Sequence, residues 1–468
     1  MLDYIPKFFT KNAIVLYFIA LIAVSVLFMG NQTSFIFMLF GMVEVCVFFH
    51  FSNQDSIAWK KLSEKAFVNK IFVTALIIRV IYVLFSYYFY TIETGKPFEY
   101  GTADSYGYHE TASDFVNIGW NYFVNYIKSS TGVSDLGYPT YLSVIYWLTD
   151  DSIMVARLLK ALYSAIACVL IYKIASRHFG YSTGRMAAVM CVFMPHLIYY
   201  CGMHLKETEM VFITVAFMER ADYLLVSKKF NFGNILVAIL LAGSLFFFRT
   251  VLGAAALFSL ITALMLSPSK MVGKKKKLLV GSWVVIAVVF FMGGSIMSEV
   301  MEIWEKKESQ QEISMEWRSE REGGNKFAKY AGAAVFAPLI FTIPFPTMID
   351  PGGIQQDQQM INGNNFVKNI ISFFTILGIF LLVFRKQWRE HILLLSFVVG
   401  YIGILVFSEF AQSERFHLPT IPFVLIFAAY GMSQMTNKYK RYYTYWLIFI
   451  FVAVIGWNWF KLAGRGLV

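Results

Sequence analysis

Runs of apolar residues recur along the whole chain, at about 13–30, 34–51, 70–90, 152–175, 184–203, 207–226, 233–248, 250–267, 277–297, 367–384, 391–409, 417–434 and 443–460. About 20 apolar residues in a helix match the thickness of a bilayer's hydrocarbon core. The pattern therefore predicts an all-α polytopic membrane protein with about 13 transmembrane helices. Two long hydrophilic stretches interrupt it, at 91–151 and 298–366. The first is rich in aromatics and in acids (Glu93, Glu99, Asp104, Glu110, Asp114, Asp135) against only Lys96 and Lys128, and it reads as folded, with short interfacial helices. In the second, Glu299 to Arg321 reads as a charged helix. The apolar segment Ala331 to Ile349 is broken by Pro338, Pro344 and Pro346, so it is expected to lie at the interface or re-enter the membrane shielded by protein.

Composition sharpens the membrane reading. The 468 residues are 58% hydrophobic and 15% charged, whereas soluble domains carry roughly 45–50% apolar and about 25% charged residues. The net charge of +11 does not imply a nucleic-acid partner, because the basic residues fall in short clusters between apolar runs and not along one face. Those clusters are Lys60, Lys61, Lys65 and Lys70; Lys173, Arg177 and Arg185; Lys228 and Lys229; Lys274 to Lys277; Arg385, Lys386 and Arg389; and Lys438, Lys440 and Arg441. All fall on one side if the N-terminus is cytoplasmic, as the positive-inside rule requires, and both long loops then lie outside. The first run follows Lys7 and Lys11 with no small-residue cleavage site after it, so it is expected to be kept as a span. Cys46, Cys168, Cys191 and Cys201 lie within apolar runs and offer neither a disulfide framework nor a zinc spacing.

Candidate chemistry gathers at the predicted outer ends of the spans. Asp104 follows the third run and either caps a helix over Ser105–Phe115 or acts as a base. His204, Lys206 and Glu207 crowd one short turn, where solvated charge is the plain alternative. Arg249 interrupts two apolar runs, and an arginine at that depth either snorkels or needs an anionic partner. Glu409 and the stretch from Ser413 to Pro419, with Arg415, form the fourth place, and Arg79 inside the third run is a fifth oddity. An outward pocket with a carboxylate and several cations suits a phosphate, which arginine grips through its planar fork and lysine as a point charge.

Set in order, these stretches resemble the GT-C superfamily of lipid-carrier-dependent membrane glycosyltransferases, in its protein-mannosyltransferase and aminoarabinose-transferase branch. The resemblance spans about residues 70–435 and rests on Arg79, Asp104-Ser-Tyr-Gly-Tyr-His-Glu-Thr-Ala112, Leu136-Gly-Tyr-Pro-Thr-Tyr141, Ala156-Arg-Leu-Leu-Lys-Ala-Leu162, Pro195 through Lys206-Glu207, Phe248-Arg-Thr250 and Glu414-Arg-Phe-His-Leu-Pro419. It implies a catalytic transmembrane module over 70–435 with outer loops 91–151 and 298–366, preceded by two additional helices and a cytoplasmic loop over 1–69 and followed by a C-terminal helix over 436–468. It further implies sugar transfer from a polyprenyl-phosphate donor to a glycan, lipid or protein acceptor, at the outer face of a bacterial inner membrane. Asp104 matches the family's first-loop acid, and Glu207 is the second candidate catalytic residue. Lys206, Arg249 and Arg415, with His204, Tyr108, His109 and Tyr138, are the expected binding residues. No organic cofactor is implied. The family's paired acid is here Asp104 followed by Ser105, which leaves open whether a divalent cation or Glu207 completes the site. Two other classes stay open: a polysaccharide polymerase or ligase using a lipid diphosphate, and a transporter or flippase of lipid-linked glycans.

Overall fold

A computed structural model of the chain describes residues 2–101, 103–129, 134, 136–227, 232–268, 273, 281–282, 316, 319–320, 324–327, 337–352, 356–407 and 413–467. Among them there is no strand, only an isolated antiparallel bridge between Gln32 and Ile349. Eight helices are long and apolar enough to cross a membrane: Lys7–Leu27, Phe35–Ala58, Glu64–Thr94, Ile153–Phe179, Asn362–Phe384, Trp388–Val406, Glu414–Ser433 and Asn437–Ala463. Phe232–Phe248 and Thr250–Leu266 are apolar but shorter, at 17 residues each. Apart from Gly281 and Ser282, the run at 277–297 lies outside the described residues, as do the basic residues Lys228, Lys229 and Lys274 to Lys277, the residues Asp135, Glu299 and Glu409, and most of the expected helix up to Arg321.

Numbered along the chain, the described α-helices are α1 (Lys7–Leu27), α2 (Phe35–Ala58), α3 (Glu64–Thr94), α4 (Ala103–Asn117), α5 (Trp120–Ser129), α6 (Gly137–Thr149), α7 (Ile153–Phe179), α8 (Tyr181–Phe193), α9 (Pro195–Tyr199), α10 (Glu207–Val226), α11 (Phe232–Phe248) and α12 (Thr250–Leu266). They continue as α13 (Gln356–Met360), α14 (Asn362–Phe384), α15 (Ile392–Val406), α16 (Glu414–His417), α17 (Ile421–Ser433) and α18 (Asn437–Ala463). Local chemistry marks their starts. Ser63 and Ser152 each accept a backbone N–H three residues on and so cap α3 and α7.

The stretch Glu414–Ser433 is wholly enclosed, while α1, α2, α3 and α18 leave most of their surface outward. The centre is therefore α17 packed on α14. Their backbones meet at Gly378 and Gly431, where a Cβ would come within 2.3 Å of the Phe427 carbonyl oxygen and 2.1 Å of that of Phe374. Only glycine permits such an approach, the usual small-residue contact of helices in lipid. The two N-terminal helices join this core directly. Tyr17 of α1 donates to the Asn362 side chain at 2.5 Å, and Glu44 of α2 accepts the Asn364 N–H at 3.0 Å, so a carboxylate from α2 caps the first turn of α14. Tyr443 of α18 donates to the Phe9 carbonyl of α1 at 3.0 Å.

The run expected as one span over 184–203 is two helices. Pro195 has no N–H for the Cys191 carbonyl, and the chain turns at Met194 into α9. Arg79, fully buried, fills the gap: it donates to the carbonyls of Cys191 and Val192 at 3.1 Å each, to Ala75 at 3.2 Å, to Ser164 Oγ at 2.7 Å and to Cys168 Sγ at 3.5 Å. These five bonds use all five guanidinium donors. The partner of this buried arginine is a broken helix.

Candidate functional site

The candidate site forms where the N-terminal ends of α4, α10, α12 and α16 meet. Asp104 lies in the first turn of α4, which begins at Ala103, so it is one residue inside the helix and not at its cap, the plainer of the two alternatives weighed from sequence. Its half-exposed carboxylate accepts from Arg415 Nη2 at 2.7 Å. The same guanidinium places Nε 3.2 Å from Glu207 Oε1, at the start of α10, where the Glu207 side chain is almost fully buried. Arg415 thus joins two acids brought by different helices, α4 and α10. That second contact is an ion pair without hydrogen-bond geometry, since Arg415 Nε and both Glu207 oxygens are buried without a hydrogen-bond partner.

Two more cations stand beside this pair. Arg249 sits in extended conformation between α11 and α12, with φ −165°, and its guanidinium lies 4.2 Å from the centre of the Phe416 ring. Lys206, buried, donates to the Phe248 carbonyl at 2.9 Å and stands 5.9 Å from the Tyr108 ring centre. Phe248 ends α11, so Lys206 satisfies one of the carbonyls that a helix C-terminus leaves over. Gly137 makes the approach possible: a Cβ there would lie 2.9 Å from the Phe247 carbonyl, so α6 can close against the end of α11. Burial, and after it the positive charge of Arg249, brings the Lys206 amine down to about 7. Burial and then the Glu207 carboxylate push the Tyr108 phenol up, which keeps it a hydrogen-bond donor.

Of the uncharged and histidine residues expected to bind, Tyr108 belongs to this cluster, and Tyr138, His109 and His204 stand behind it. Tyr138 is fully buried, with its ring 5.1 Å from that of Tyr108. His109 Nδ1 is 2.8 Å from the Tyr146 hydroxyl, which is 3.0 Å from His204 Nε2. Burial and the nearby charges of Arg157 and Lys160 hold His204 well below its ordinary value, so it is a neutral imidazole and not one of the cations. The turn from His204 to Glu207 is buried throughout, which overturns the solvated-charge alternative.

Three residues at the site's back were given no site role from sequence, although Glu99 was counted among the loop acids and Arg157 and Lys160 lie in the stretch Ala156–Leu162. Glu99 accepts from Ser105 Oγ and, at 3.4 Å, from the His204 N–H. Arg157 donates to the Pro97 carbonyl, and Lys160 donates to the Met203 carbonyl at 2.7 Å and to that of Leu205. Arg157 and Lys160 are both fully buried in the opening turns of α7, three residues apart on one face. Two cations at that spacing in an apolar span were the signal available.

Among the described residues, no three His, Cys, Asp or Glu side chains group as a metal site. Comparison with protein families and with curated proteins finds nothing that matches the chain. Chemically, the arrangement gathers three cations about two carboxylates and leaves buried hydrogen-bonding capacity on Arg415 and Glu207. It can bind an anion, and it holds a carboxylate beside that anion.

Proposed function

We propose that the chain is a membrane glycosyltransferase that moves a sugar from a polyprenyl-phosphate donor to an acceptor hydroxyl on the extracytoplasmic face. The observation that carries this reading is the double ion pair of Arg415, to Asp104 at 2.7 Å and to Glu207 at 3.2 Å, beside Lys206 and Arg249. A phosphate entering there would compete with Asp104 for the guanidinium. Once Arg415 turns to the phosphate, Asp104 is released as a base. The acceptor oxygen then attacks the anomeric carbon, the bond from that carbon to the phosphate oxygen breaks, and the hydroxyl proton passes to Asp104. Lys206, Arg249 and Arg415 stabilise the charge that gathers on the departing polyprenyl phosphate. The N-termini of α4, α10 and α12 favour an anion at the same point.

The ordered stretches that resemble GT-C enzymes support the same reading. So does the position of the charges at helix ends, whereas a transporter places its coupling residues near the middle of the bilayer. In this reading the N-terminus is cytoplasmic, the chain crosses about 13 times, and the loops 91–151 and 298–366 face outward. Purified full-length protein in liposomes, given radiolabelled polyprenyl-phosphate hexose and pentose donors with membrane-extract acceptors, tests it. Chain-dependent loss of label from the carrier, abolished in Arg249→Ala, supports the transferase. Retention of label on every donor overturns it.

A further inference from the structure

The site is assembled from two segments that are distant in sequence: the approach to α4, carrying Asp104, and the turn before α10, carrying Lys206. One side chain touches both. Glu99 is buried, and each of its carboxylate oxygens has a different partner: Oε1 takes the Ser105 hydroxyl and Oε2 takes the His204 N–H at 3.4 Å. Ser105 adjoins Asp104, and His204 stands two residues before Lys206. Beneath them, α7 holds the same two segments from one face. Arg157 binds the Pro97 carbonyl on the α4 side, and Lys160 binds the Met203 and Leu205 carbonyls on the turn side. Lys160 is held in turn by Glu209 at 3.7 Å and lies 5.7 Å from the Tyr138 ring centre.

We infer that Glu99 is a positioning residue, the latch that sets the placement of Asp104 relative to Lys206 and through it the anion affinity of the site. Both partners of Glu99 are donors, so its two acceptor oxygens are matched to them. Glutamine keeps the size but has one acceptor and an NH2 group. Its carbonyl can still accept the His204 N–H and its NH2 can donate to the Ser105 hydroxyl oxygen, but both bonds lose the carboxylate's charge, so both legs weaken together. Arg157 and Lys160 cannot replace the latch, because each binds only one of the two segments. The inference rests on the anion-site reading for its functional consequence, but not for the latch itself.

The test uses full-length protein in nanodiscs, with hydrogen exchange at residues 103–108 and 203–206 and with binding of farnesyl phosphate as a short carrier. In Glu99→Gln, exchange should rise in both segments together, farnesyl phosphate should bind about 10-fold more weakly, and the unfolding temperature should hold. Ser105→Ala, which removes one leg and leaves Glu99 in place, should give a smaller change in the same direction. Introduced into an Asp104→Asn background, Glu99→Gln should weaken farnesyl phosphate binding less than it does in the wild type, because the latch acts through the placement of Asp104. Faster exchange confined to one segment, unchanged affinity in Glu99→Gln, or strictly multiplicative losses would each overturn the positioning role. If wild type and Arg249→Ala bind farnesyl phosphate alike, it is the phosphate reading that fails. The exchange of the two segments then decides the latch alone.

Discussion

The two ends of α10 both bring carboxylates to arginine, about 22 Å apart along the helix. At the C-terminal end, Glu219 and Asp222 meet Arg177 at 2.9 and 2.7 Å, Asp222 also binds His178 Nε2 at 2.9 Å, and Arg220 bonds Asn234 at 2.8 Å while lying 3.6 Å from Glu219. His178 Nδ1 is in turn 2.9 Å from His391 Nδ1. Two acids there face two arginines. At the N-terminal end, Glu207 shares Arg415 with a half-exposed Asp104 while Lys206 and Arg249 stand close by. Among the described residues, two acids there face three cations. The helix dipole sharpens the contrast, for acids are disfavoured at a C-terminus and need the cations they have, whereas at an N-terminus the backbone already assists them. One end has charges matched one to one, which ties α7, α10 and the start of α15 together. The other has positive charge and hydrogen-bonding capacity left over, which is what a ligand site requires.

Removing the carboxylate proposed as the base should produce the largest effect. Asp104→Asn should lose about 100- to 10,000-fold in turnover while carrier binding is kept or improved, because Arg415 is no longer held by a carboxylate. Since Asp104 lies in the first turn of α4, losing its charge should cost only about 0.3–1 kcal/mol of stability. A sugar-transfer assay beside thermal unfolding separates the two quantities, and full activity would remove Asp104 from the mechanism and point to Glu207.

Next in size is a change at the other end of α10. Asp222→Ala should lower stability by on the order of 3 kcal/mol, because it strands buried partners, and should leave farnesyl phosphate affinity as in wild type. Unchanged unfolding together with lost affinity would dissolve the distinction between the two ends. Smaller again, Arg249→Ala should weaken farnesyl phosphate binding about 10- to 100-fold, as expected for lost charge-assisted bonds, and Arg249→Lys should recover part of the loss. Equal binding in Arg249→Ala and wild type would mean that the arginine only covers the Phe416 ring.

The smallest effect is one of pH. With the Lys206 amine down at about 7, raising the pH through neutrality leaves the unliganded amine neutral. A bound phosphate draws the proton back, so binding takes up a proton and affinity falls as pH rises, by at most about 10-fold per unit. Titration calorimetry in buffers of different ionisation heat reads that proton uptake. A flat affinity between pH 6.5 and 8.5 would place Lys206 outside the phosphate's reach.

The spans were legible because hydropathy is a local sum over about 20 residues, but the same sum ran across Pro195 and hid the helix break that its missing N–H makes there. Asp104, Lys206, Glu207, Arg249 and Arg415 stood out as charges where a lipid-facing helix has no use for them. Glu99 did not, since one acid in a loop with several carries no mark of its own. Arg79 stood out, yet its role as partner to the Cys191 and Val192 carbonyls needed the fold.

By itself, then, the sequence determined the solvent of this protein, the helical character of its spans and the residue types able to bind an anion, all of which follow from composition within a window of chain. Only the tertiary structure decided which charges meet. Asp104 and Arg415 are 311 residues apart, and nothing local to either says that the first turn of α4 will face the start of α16. The same holds for the two ends of α10: each shows acids near basic residues in sequence, and packing alone leaves one end matched and the other with a cation to spare. Charge pairing depends on distances between helices, and those are set by close contacts such as Gly378 on Gly431 and Gly137 on Phe247, which no single segment contains.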